Sequence, residues 1–154
     1  MVNGQLVGFF FDAVQPEDVA RFGITIGDDK ARQILEALAA LVALRIWLPL
    51  WKDERIELTV RTDNTTELAM VSRVKASTKE LQIIAAYMAL SLGDSAYMPW
   101  VAEHTPGIQH IVADVLSRIH EAGKEQPLPA ALKYAKICIP QRRYDSWYRS
   151  LVAP

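Results

Sequence analysis

His104-Thr-Pro-Gly-Ile-Gln-His-Ile-Val-Ala-Asp-Val-Leu-Ser-Arg118 is the stretch on which the reading of the whole chain turns. A histidine stands before a Pro-Gly turn, and the turn leads into a short apolar helix expected over Gln109 to Arg118. Asp114 sits in that helix between Ile111, Val112, Ala113, Val115 and Leu116. An acid in such company has two explanations. It lies on the exposed stripe of an amphipathic helix, or it serves a site that compensates for its charge. Partners elsewhere in the chain have to separate the two.

The chain of 154 residues suits one domain, and with 51% apolar residues it can fill a core without disulfides. Its net charge of -1 argues mildly against a dedicated, tight binder of nucleic acid. Cys138 is the only cysteine, so no internal disulfide forms; a reducing compartment and a packing role are expected. No basic segment followed by an apolar stretch opens the chain. The longest apolar run, Leu35 to Trp51, is interrupted by Glu36 and Arg45 and holds Pro49, and is not expected to span a membrane.

Patterning gives an alternation of strands and helices. Gly4 to Val14 reads as extended, after an Asn3-Gly4 turn signal. Pro16 to Phe22 suits one or two helical turns, and Ile24 to Ile26 a short strand. A long, largely buried helix is expected from Lys30 to Leu48, with Pro49 stopping or kinking it. Ile56, Leu58 and Val60 alternate with Glu57, Thr59 and Arg61, as in a half-buried strand that ends at Thr62-Asp63-Asn64. Asn64 with Glu67 resembles a capping box opening a helix through Val74, and Ser77 or Thr78 can cap another helix to Leu92. Tyr97 to Glu103 is a further strand, weakened by Pro99. The order predicts an α/β chain around a mixed central sheet flanked by helices. From Gly123 the composition turns to that of a linker. The expected division is therefore a domain over 1–122 and a linker with a C-terminal extension over 123–154. The extension holds Arg142, Arg143, Tyr144, Trp147 and Tyr148. These residues suit a segment docked on a surface, or contacts to nucleic acid.

Two other carboxylates stand out. Glu36 lies near the start of the long apolar helix, where a site would use it, or where it faces solvent beside Arg32 or Arg45. Asp63 lies where a strand gives way to a helix. Ligands bind at such places in open α/β sheets, although turns and caps also use aspartate there.

Taken in order, a glutamate on a long helix, an aspartate at a strand end and an aspartate in a late helix resemble the ribonuclease H domain of retroelement reverse transcriptases. The segment from Gln33 to Trp47 is similar to that family's glutamate helix. Arg61-Thr-Asp-Asn-Thr-Thr66 is similar to its strand-end motif, and His104 to Arg118 to its closing motif. The resemblance spans roughly Val2 to Arg118. It implies a ribonuclease H-like fold and hydrolysis of RNA in an RNA–DNA hybrid by two Mg²⁺ ions about 3.5–4 Å apart. Glu36, Asp63 and Asp114 would be metal ligands and catalytic residues. His104 would correspond to the loop histidine that helps proton transfer or product release, or would merely hydrogen-bond its turn. His110 stands where the family usually has asparagine. His120 matches nothing.

The family carries a further aspartate on a first strand, and here Met1-Val2-Asn3-Gly4 resembles the turn that follows it. Asp12 is not a substitute, because it ends the following strand, and Asp28 and Asp29 have no counterpart. Two expectations follow. The chain is an enzyme domain whose first strand is supplied from outside it. Alternatively, it is an inactive remnant reused as a structural or interaction subunit, with a protein partner covering the exposed sheet edge.

Overall fold

In the computed structural model, the residues described are 5–54, 58–63, 78–93, 100–104, 111–123 and 126–140. The chain divides into two compact units, Met1–Ala13 with Pro106–Pro140, and Val14–Thr105 with Gln141–Pro154. Along the chain the elements are β1 (Gly8–Phe9), α1 (Pro16–Phe22), α2 (Asp29–Trp51), β2 (Leu58–Thr62), α3 (Lys79–Gly93), β3 (Trp100–His104), α4 (Ile111–Ser117), a single 3-10 turn (Ala130–Leu132) and β4 (Lys136–Ile137). The class is α/β, as expected. Among the described residues the strands form two parallel pairs, β1 with β4 and β2 with β3.

The second unit is built on two helices. Asp28 caps α2, its carboxylate accepting from the Lys30 N–H at 3.3 Å. Gly27 precedes it at φ 96, a conformation that favours glycine. Ile34, Leu38 and Leu41 recur at helical spacing and are buried, as are Leu81, Ile84 and Met88 of α3, against which α2 packs. Burial of each such side chain contributes about 1.5–3 kcal/mol. Polar contacts fix the direction. Near the helix starts the Lys30 ammonium meets Glu80 at 3.0 Å, and further along Arg45 Nε donates to Ser91 Oγ at 3.0 Å. The two helices therefore run the same way. Arg45 also lies over the buried Tyr87 ring, 5.3 Å from its centroid, and Arg21 of α1 donates to the Tyr87 hydroxyl at 3.3 Å.

Several sequence expectations are corrected. Pro49 does not stop α2, which continues to Trp51. The buried Trp51 anchors the last turn, and the Lys52 N–H reaches the Leu48 carbonyl at 2.8 Å. The helix buries one stripe rather than most of its surface, with Gln33 and Ala39 exposed. It is long and apolar enough to cross a bilayer by length and composition alone, and packing of its apolar stripe against α3 accounts for the same composition. Ile24 to Ile26 is not a strand. Gly23, at φ 58, closes α1 in the left-handed conformation, Ile24 N–H returns to the Val19 carbonyl, and a turn from Thr25 to Asp28 follows. Within α1, buried Asp18 accepts from the Gln15 N–H at 2.9 Å, which explains an acid in the core.

In the first unit, the extended segment expected over Gly4 to Val14 shrinks to Gly8–Phe9. Both residues are buried, whereas Asp12 to Val14 are exposed. Its partner is β4, drawn from the segment expected to be linker and extension, and the pairing is parallel, with Gly8 opposite Lys136. Phe11 stacks on Phe9 with ring centroids 6.4 Å apart, and its ring meets that of His120 at a tilt, centroids 5.5 Å apart. Asn3-Gly4, the capping box at Asn64, Ser77, Pro99, His110 and the aromatic tail lie outside the described residues.

Two predictions follow from this packing. Leu41 has no exposed surface, so Leu41→Ala should cost about 2–5 kcal/mol in urea unfolding; a loss below 1 kcal/mol would mean that the α2–α3 seam is not the core. Glu80 is held below the ordinary carboxylate range, first by its own backbone N–H and then by Lys30. A depressed carboxyl contributes stability that is present above its unfolded value and is lost as pH falls through its folded value. In an NMR titration, Lys30→Met should move the Glu80 midpoint part of the way back up, the backbone donor remaining. An unmoved midpoint would show that Lys30 contributes nothing.

Candidate active site

A parallel strand pair cannot be closed by a tight turn, so the chain between β2 and β3 must travel back, and α3 lies on that route. The result is that both strands end at the same edge. Thr62 is opposite His104 in the register, and Asp63 is the next residue along. Adjacent strands lie about 4.8 Å apart, so the backbones carrying Asp63 and His104 are neighbours at the carboxyl ends of a parallel pair, where ligands bind in open α/β sheets. Thr62 is buried while Asp63 and His104 are exposed. One residue further in, Arg61 Nε meets Glu103 across the register at 2.9 Å, in an exposed ion pair that ties the two strands together.

The candidate carboxylates differ in what engages them. Glu36, half-buried on α2, accepts from Arg32 Nε at 3.1 Å, one turn away. This is the helix pairing that its spacing allowed. Asp114 is exposed on α4, a helix that buries none of its residues, and accepts from Arg118 Nε at 3.0 Å. Asp63 differs from both: among the described residues no hydrogen bond or ion pair engages its carboxylate. Glu36, Asp63 and His104 belong to the second unit and Asp114 to the first. Among the described residues, no group of three or more His, Cys, Asp or Glu side chains stands together as a metal cluster.

By donor type the carboxylates suit Mg²⁺, which takes hard oxygen ligands and retains several waters. The guanidinium partners are a weak obstacle. Both pairs are at least partly solvent-exposed and join residues one helical turn apart, a class worth about 0.2–1 kcal/mol. A divalent ion at those oxygens would displace such a partner at little cost.

The sequence pointed to Asp63 and His104 separately, and only the strand register makes them neighbours. The Arg61–Glu103 tie was not anticipated. It could have been found only by first assuming that register. Cys138, expected in packing, is half-buried at the end of β4, its sulfur 3.9 Å from the Lys136 carbonyl.

Compared with protein-family models, curated proteins and solved structures, the chain has no significant match.

An exposed carboxylate that no described residue engages should be dispensable for folding. Asp63→Asn is expected to shift the urea-unfolding free energy by less than about 0.5 kcal/mol. A loss well above that would make Asp63 a structural cap rather than a residue held for use.

Proposed function

We propose that this chain is a ribonuclease H-like domain that hydrolyses the RNA strand of RNA–DNA hybrids when the aspartate of the family's first strand is supplied to it. The observation that carries the proposal is the parallel register that brings Asp63, whose carboxylate no described residue engages, and His104 to the same end of one strand pair. The support from sequence is the similarity of the segments around Glu36, Asp63 and Asp114 to those of retroelement ribonuclease H domains. Mg²⁺, when bound, would supply an activated water and stabilise the leaving oxygen. Glu36 and Asp63 of the second unit would provide oxygen ligands; the resemblance assigns the same role to Asp114, and to a fourth carboxylate that the family carries on its first strand. His104, beside Asp63, would take up or release a proton at a ring nitrogen near the departing group. Arg32 and Arg118 would move off their carboxylates, at the small cost of a surface pair.

A second reading is favoured by those same ion pairs. With Glu36 and Asp114 already satisfied by arginine, the chain would be a retired nuclease acting as an interaction subunit. Cleavage of a labelled RNA–DNA hybrid in Mg²⁺ separates the two. Under the enzyme reading the folded chain, with a first-strand peptide carrying the further aspartate added, cuts the RNA strand, and Asp63→Asn lowers the rate by roughly 100-fold or more. No cleavage by the folded chain with that peptide present, or equal cleavage by both forms, would remove the enzyme reading and leave the subunit.

A further inference from the structure

We propose that the outer edge of β4 pairs antiparallel with the same edge of a second copy of this chain, with the two-fold axis at Cys138. Lys136 and Cys138 donate their N–H groups to the Val7 and Phe9 carbonyls at 3.4 and 2.8 Å. Successive N–H groups of an extended strand point to opposite sides, so those of Ile137 and Ile139 face away from β1. Among the described residues no hydrogen bond engages either of them, and no third strand joins the pair. The isoleucine side chains share one face of the strand and are exposed, Ile137 at 49% and Ile139 at 80%. A two-stranded sheet of this length is marginal on its own, and an open apolar edge is a template for another strand.

The pattern is self-complementary, and this selects the occupant. An axis at Cys138 sets Ile137 of each copy opposite Ile139 of the other. These residues carry the outward-facing groups, so each such pair exchanges two N–H···O bonds. The isoleucines of both copies then form one continuous apolar ladder across a sheet of order β1-β4-β4-β1. Moving the axis to Ile137 would leave one isoleucine pair and set Ile139 against Ala135. With the axis at Cys138, Lys136 faces Pro140, so no like charges oppose each other. Pro140 lacks an N–H, but at its position that group would point toward β1, and the new ladder loses nothing. The net charge of -1 adds little repulsion between copies. Two Cys138 residues meet in the narrow, non-hydrogen-bonded pair, with Cα atoms about 4.5 Å apart, within reach of a disulfide. The cysteine is thus a built-in reporter of the register.

The test is sedimentation velocity of the full chain over a concentration series, followed by mild copper–phenanthroline oxidation. In the oxidation two thiols join as a disulfide and pass two protons and two electrons to the oxidant. The expected result is a reversible dimer that becomes covalently linked through Cys138, while Cys138→Ser still dimerises but does not cross-link. Ile139→Pro removes the outward N–H at an exposed site, and should leave the circular dichroism unchanged while weakening the dimer by roughly tenfold or more. Ile139→Asp should act in the same direction. A monomer throughout the series, or equal cross-linking of wild type and Ile139→Pro, would overturn the proposal.

Discussion

The parallel register of β2 with β3 is the constraint on which the rest of the second unit depends. Antiparallel strands of this length could be joined by a few residues and would end at opposite edges. Parallel strands demand a crossover, and the long apolar α3 fits that need. Because α3 then needs a partner for its buried stripe, α2 lies along it in the same direction, held at two points by Lys30–Glu80 and Arg45–Ser91. The same register that requires the crossover gathers strand ends, and so sets Asp63 next to His104.

Under the proposed function, the carboxylates would be contested between guanidinium and metal. The Arg32–Glu36 and Arg118–Asp114 pairs are exposed, entropically costly to hold and screened by salt. They neutralise the acids in the absence of a stronger ligand, and they do not lock them. Among the described residues Asp63 has no such partner. Near-neutral net charge means that affinity for a nucleic acid would have to come from local features rather than from the whole molecule.

The legible parts of the sequence were those where periodicity was long and unambiguous. The α2 and α3 helices follow from apolar spacing, β2 from strict alternation, and the start of α3 from Thr78, whose hydroxyl accepts from the Leu81 N–H at 3.3 Å. Short apolar runs misled. Ile24 to Ile26 alternates like a strand, but Gly23 had already turned the chain. Leu6 to Phe11 looks like a full strand, yet only Gly8 and Phe9 find a partner, in a segment far away in sequence. No local pattern announces that partner, because long-range pairing leaves no periodic trace. For the candidate site, residue identities were legible through their segments, whereas the engagement of Glu36 and Asp114 by arginine was legible only as one of two alternatives. The adjacency of Asp63 and His104 was not legible at all, since it depends on a register between strands some forty residues apart.

The most direct measurement of the central claim is paramagnetic broadening of the amide NMR signals during titration with Mn²⁺, reversed by excess Mg²⁺. The account predicts that Asp63 and His104 broaden together at the lowest metal concentrations and that Mg²⁺ restores both. Broadening spread evenly over exposed acids such as Asp53, Glu54 and Glu121, with Asp63 no more sensitive than they are, would contradict it.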